Sequence, residues 1–290
     1  MVDRIVRPLV QTAVAALLTV LVAVTTLAAG LRLYVYNETV YRNVPNDPAF
    51  VQGMKEYVLS GLEDECLFYD LPFDTMKTAI TEDLIRSFSR EYTAAVYASL
   101  CSGEAIAPFT VDASVYRPTL DAFFASLPEE KRPMDSNAAQ TLSEELAKST
   151  GAVLSSGLIN SALGYGHDFV YGNTPLRRFA SLLWWLLAAT LATLGVSLIL
   201  WGGFKKRVYA TAGSVFVGAS LTFVPLFMLK QHNLAERLVL GDSPLKLYVK
   251  GLLGGVVNGL TTVALWVFAI AAVVLLAAVV VLLKEKRNEQ

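Results

Sequence analysis

Only a few side chains in this sequence are grouped in a way that could do chemistry. Glu63, Asp64, Glu65, Asp70 and Asp74 crowd around Cys66. Carboxylates at that density are raw material for a calcium site, but the alternating acidic spacing and glycine of an EF-hand loop are missing, so the cluster reads as a solvated acidic face. His167 and Asp168 set an imidazole beside a carboxylate. Adjacent side chains seldom face one point, and no HExxH spacing accompanies them, so they read as part of a solvated loop. Cys66 and Cys101 are the only cysteines. An oxidising compartment would allow a bridge between them; the other reading is two free thiols packed as small apolar groups. The sequence contains no GxSxG elbow, P-loop or dinucleotide fingerprint. It therefore assigns no catalytic residue, no cofactor and no metal ligand.

The elements that carry these groups are set by hydropathy. Of the 290 residues 54% are hydrophobic and 17% charged, against about 25% charged in soluble domains. The apolar excess falls into four blocks, each long enough to cross a hydrocarbon core of about 30 Å as a helix. The expected transmembrane helices cover residues 9–36, 176–202, 208–230 and 252–283. The first exceeds the usual apolar length of a cleavable signal peptide and reads as an uncleaved anchor. Between helices 1 and 2 lies a segment of residues 37–175, and between helices 3 and 4 a short external loop, 231–251. Residues 284–290 form a tail. The predicted fold class is an all-α membrane protein with a mainly helical extracytoplasmic domain inserted between helices 1 and 2.

Charge gives the expected orientation. Residues 37–175 hold 20 acidic and 9 basic side chains, a net of −11; the remainder holds 15 basic and 5 acidic, a net of +10. Arg4 and Arg7 precede the first block, Lys205, Lys206 and Arg207 fill the turn between the second and third, and Lys284, Lys286 and Arg287 follow the fourth. Four crossings put all three clusters on one side, which the positive-inside rule makes cytoplasmic. Arg177 and Arg178 run against the pattern. The localisation read from this is the plasma (cytoplasmic) membrane, with both termini cytoplasmic and residues 37–175 outside. The loop 231–251 is basic, and its charge suggests that it docks against the acidic domain.

Within the domain, Asn46-Asp47-Pro48 predicts a cap and first turn of a helix ending near Ser60. Leu71-Pro72-Phe73-Asp74 is expected to open a second helix that runs to near Ser102-Gly103, with Met76, Ile80, Leu84, Phe88, Tyr92 and Val96 as its apolar stripe. Residues 118–127 predict a short helix and 106–116 a short strand. A last helix, capped by Asp135-Ser136, is expected over 137–163. In the fourth block, Gly251, Gly255 and Gly259 form overlapping GxxxG patterns that let helices approach closely. They are read as packing within the chain, with a homo-oligomer face on transmembrane helix 4 as the alternative.

Four spans, cytoplasmic ends and unequal external segments resemble the layout of claudins and tetraspanins in topology alone. Tetraspanins place the large domain between the last two spans, and residues 37–175 hold no tryptophan of the kind in the claudin signature. The expected function is that of a non-enzymatic multi-pass protein of the cell envelope, whose acidic ectodomain binds, senses or scaffolds a protein partner while the spans contact the lipid bilayer. The alternatives are a transport accessory subunit or lipid-handling protein, and an enzyme at the membrane surface. Nucleic acid is excluded as a partner, because an acidic domain repels phosphate.

Overall fold

In the computed structural model, residues 2–102, 109–131, 137–158, 175–201, 203–232 and 244–288 are described. In chain order the helices are α1 (Val2–Gly30), α2 (Glu38–Asn43), α3 (Pro48–Phe68), α4 (Phe73–Met76), α5 (Glu82–Ser102), α6 (Arg117–Ser126), α7 (Ala138–Ser156), α8 (Leu183–Leu200), α9 (Phe204–Gln231) and α10 (Pro244–Asn288). A π-helical turn, Leu31–Val35, extends α1. There is no strand among the described residues. The chain divides into two compact units. The first is Met1–Asn37, Thr174–Arg237 and Gly254–Gln290; the second is Glu38–Asn173 and Leu238–Leu253. The single helix α10 supplies residues to both.

The first unit contains most of the four stretches that, among the described residues, are long and apolar enough to cross a membrane: Val6–Val35, Leu183–Leu200, Lys206–Gln231 and Lys246–Leu283. Its outward surface is apolar, with Trp185 76%, Trp266 66% and Val273 66% exposed, the inverse of a soluble bundle. α1 packs along both α8 and α9, and Leu18, Val22, Ala219 and Ala271 form a small buried core. Gly218 lets two backbones meet there, since a Cβ at that position would stand 2.5 Å from the Thr19 carbonyl oxygen. Gly259 likewise makes room for the Tyr34 ring. Where hydrocarbon offers no water, hydroxyls must bond to protein. Thr25 pairs with Thr190 at 2.9 Å and Ser197 with Thr211 at 2.8 Å. Thr19 donates to the Ser214 carbonyl, and Ser220 and Thr262 bond back to their own helices. Arg207 donates through Nε to the Trp201 carbonyl, which stabilises the C-terminal end of α8.

The second unit has one large core drawn from α3, α5, α6, α7 and the first turns of α10. α3 begins as the sequence predicts. Asp47 accepts from Ala49 N at 2.9 Å and Pro48 occupies the first turn. It does not stop near Ser60 but runs on to Phe68. Gly61 is there for packing and not as a terminator: a Cβ would lie 3.0 Å from Val153 Cγ2 on α7. α3 ends with Asp70 at φ 54° and Leu71 N donating to the Cys66 carbonyl at 2.8 Å, a Schellman-type stop in which an aspartate holds the left-handed position usual for glycine.

The single helix expected to open at Leu71-Pro72-Phe73-Asp74 and run to Ser102 is two helices. α4 ends at Met76, Ile80 is extended, and Thr81 Oγ accepts from Leu84 N at 3.2 Å to start α5. Met76, Ile80, Phe88, Tyr92 and Val96 are all buried, so the stripe marks the core correctly while spanning a break. The strand expected over 106–116 is absent from its described part. Asp112 accepts from Ser114 N at 2.9 Å and turns the chain into a 3-10 turn, Ala113–Val115. Just before that turn the backbone crosses α7 at Gly151, where a Cβ would lie 3.1 Å from the Phe109 carbonyl oxygen.

Candidate functional site

The basic segment read as a loop is helical from Pro244 onward, and its first turns are part of the second unit's core. In sequence, Asp242-Ser243-Pro244 sets polar residues before a proline, a helix start signal, and the helix begins at Pro244. Tyr248 is fully buried. Its ring meets Phe50 of α3 at 5.8 Å, and its hydroxyl shares a 3.1 Å hydrogen bond with Thr93 of α5. Leu247 covers Gly53, and Gly251 fits against Val44, each with 3.0 Å to a built Cβ. Leu252 is buried beside them.

These contacts define one end of the unit. Gly157 of α7 lies on Met54, and Tyr57 bonds to Ser156 at 3.3 Å, so α7 runs antiparallel to α3, with Ser149 Oγ donating to Glu65 farther along. Val44, Gly157 and Gly251 therefore lie at the Phe50–Met54 end of α3. The C-terminal turn of α3 lies about 27 Å away, at 1.5 Å per residue over 18 residues. Leu67 and Phe68 stand exposed on that turn.

The buried titratable groups of the unit are held neutral. Cys66, buried in α3, is pushed up to about 11, chiefly by burial and then by the charges of Glu65 and Glu63. Burial raises Tyr92 to about 12. Tyr116 is also raised to about 12 by burial, against a 2.5 Å hydrogen bond with Thr150 that lowers it. Ser89 Oγ and Tyr92 OH are buried without a partner among the described residues. At neutral pH this interior packs and hydrogen-bonds; none of these raised groups is ionised for nucleophilic or base chemistry.

The structure does not gather the acidic cluster into a ligand set. Glu65 bonds to Ser149, Asp74 pairs with Lys77, and Glu63, Asp64 and Asp70 face solvent. Among the described residues no three metal-ligating side chains converge. Cys66 and Cys101 are free thiols, the first buried and the second half-buried. Of the glycine series, Gly251 and Gly259 contact this same chain at Val44 and Tyr34, and Gly255 is half-buried. Arg7 and Lys206 are exposed. Arg4, Lys205, Lys284, Lys286 and Arg287 lie on helices whose side chains at those positions are outside the description, and His167 and Asp168 lie outside the described residues. The sequence reading missed Tyr248 and the Leu67–Phe68 turn; the Ser-Pro start at residue 243 and an adjacent Leu-Phe beside acidic residues were the available signals.

No family model, curated protein or solved structure matches the chain. Fold and composition define its class: among the described residues it is an all-helical protein with four helices long and apolar enough to span a membrane.

Proposed function

We propose that the chain is a non-enzymatic multi-pass protein of the plasma membrane. Both termini are cytoplasmic, and the acidic unit lies outside and binds or senses a partner. The observation that carries this reading is α10. One helix starts as core of the acidic unit at Tyr248 and continues as the fourth apolar span. Binding energy that repacks the unit around Tyr248 therefore acts directly on a helix that crosses the bilayer. The basic clusters at residues 4–7, 205–207 and 284–287 support the orientation.

The test is cysteine accessibility in intact cells, in a Cys101→Ser background, with an impermeant maleimide. Glu145→Cys, exposed on α7, is expected to react before lysis, and Lys206→Cys only after it. The reverse order would overturn the orientation, and the sensing role with it.

The alternative of a lipid-handling or transport accessory role has one observation in its favour, an open apolar groove of about 610 Å³ on α1 lined by Pro8, Leu9, Thr12, Ala13 and Ala16. That reading expects a photoactivatable phospholipid to label these residues selectively over the rest of the outward face.

A further inference from the structure

Among the described residues of the acidic unit, the exposed large hydrophobic side chains are Tyr57, Leu67 and Phe68. The last two are neighbours and are 77% and 79% exposed. Nothing in the folding of α3 calls for them. The buried face of its last turns is supplied by Leu62 and Cys66, and any polar residue could occupy the outer positions. The Schellman-type stop fixes the turn that bears them, and Tyr69 meets Phe68 edge-on at 4.9 Å. Around this knuckle stand Glu63, Asp64 and Asp70, all exposed. No lysine or arginine among the described residues is paired with any of the three, whereas Asp74 is offset by Lys77.

An apolar anchor inside a charged rim is the anatomy of an interface hot spot, and the sign of the rim selects the occupant. Anionic lipid headgroups would be repelled by it. A second copy would bring the same carboxylates against these, and like charges juxtaposed across an interface are unfavourable. We propose that Leu67 and Phe68 dock into an apolar pocket of a protein partner whose rim carries lysine or arginine. This rests on the reading that the acidic unit binds a partner, and it names that partner's chemistry and the surface it meets.

The experiment uses the full-length chain in cells, with benzoylphenylalanine at position 68 and, as a control, at position 145 of α7. The expected result is a protein adduct at 68 that is absent at 145, whose cross-linked peptide carries flanking lysine or arginine. Combining Glu63→Lys and Asp64→Lys with Asp70→Asn, which tolerates the left-handed position, is expected to lower its yield at least tenfold, as is Leu67→Ser alone. The second variant is expected to keep the wild-type unfolding midpoint, because the side chain it alters is exposed. Adducts with lipid only, with a second copy only, equal yields at both positions, no adduct, or an undiminished adduct after charge reversal would each overturn the proposal. Phe68→Cys in the Cys101→Ser background separates the two levels. Maleimide labelling in intact cells without an adduct removes the docking site and leaves the orientation standing; labelling only after lysis removes the orientation itself.

Discussion

Replacing Tyr248 is expected to open the acidic unit even though the residue lies 90 positions after Leu158, the last buried core residue before α10. Tyr248→Ala removes a fully buried aromatic ring, which costs about 3–5 kcal/mol in protein cores. It also strands the Thr93 hydroxyl, now paired at 3.1 Å, for roughly 1 kcal/mol more. A total of about 4–6 kcal/mol is a large part of the 5–15 kcal/mol that holds a typical domain folded. Tyr248→Phe keeps the ring and is expected to cost about 1–2 kcal/mol, as is Thr93→Val, because each leaves one buried hydroxyl without its partner. The double variant removes both hydroxyls and is expected to cost little more than either single change, a coupling near 1 kcal/mol. The assay is built into the unit. Cys66 is buried in α3, so in a Cys101→Ser background its rate of alkylation reports opening, and each 1.4 kcal/mol is a tenfold change in rate. Tyr248→Ala should speed alkylation by a factor on the order of 10³ or more. A change below tenfold would refute the claim that the first turns of α10 are structural core of this unit.

Gly218→Val forces a side chain against the Thr19 carbonyl oxygen, 2.5 Å from the built Cβ, and is expected to destabilise α1 against α9 by about 1–3 kcal/mol, read as reduced cross-linking between cysteines placed on the two helices. Asp70→Gly relieves a left-handed backbone at φ 54° and is expected to raise the stability of the acidic unit by up to about 1 kcal/mol, measured by the same alkylation of Cys66. Stability should fall above pH 9: a thiol raised from 9.0 to about 11 favours the folded state fully below its unfolded value, and loses that contribution as pH climbs to the folded one. The loss is about 3 kcal/mol at 1.4 kcal/mol per unit. Cys66→Ala should remove the portion between pH 9 and 11 from the urea midpoints, leaving the tyrosine-linked portion above pH 10.

Much of the architecture was legible because one force dominates in lipid. Runs of apolar residues without charge have few structures open to them there, and the four spans follow. The amphipathic stripe through Phe88, Tyr92 and Val96 also found its core, since burial fixes which face turns inward. What the periodicity could not show was the break at Ile80–Thr81. The stripe Met76, Ile80, Phe88 continues through it with helical spacing, and the start signal of Thr81 with Glu82 and Asp83 after it was hidden inside the pattern. The end expected near Ser60 fails in the opposite sense, because the helix runs on through Gly61 to Phe68. Glycine ends helices and also admits a neighbouring helix, and only the presence of Val153 opposite decides between the two. The Leu67–Phe68 turn was missed for a related reason. A leucine and a phenylalanine in a helix count toward the core until the register of Leu62 and Cys66 shows that the core is already supplied.

The segment before the fourth span shows how magnitudes sort out competing forces. Its lysines suggested an electrostatic attachment to a domain of net charge −11. Exposed pairs contribute about 0–1 kcal/mol each and are screened beyond a Debye length of about 8 Å in physiological salt. Burying a side chain such as Leu252 or Tyr248 contributes about 1.5–3 kcal/mol, and salt barely touches it. Hydrophobic burial therefore wins at this end of the unit, and its attachment should survive high salt and fail on truncation of Tyr248, the opposite of what charge docking requires. The same comparison applies to the carboxylates on the last turns of α3, whose exposed charges add little to folding and, on the proposed reading, act in recognition. A rim that is not needed for folding is free to select a partner, and there a few kilocalories of steering and discrimination suffice.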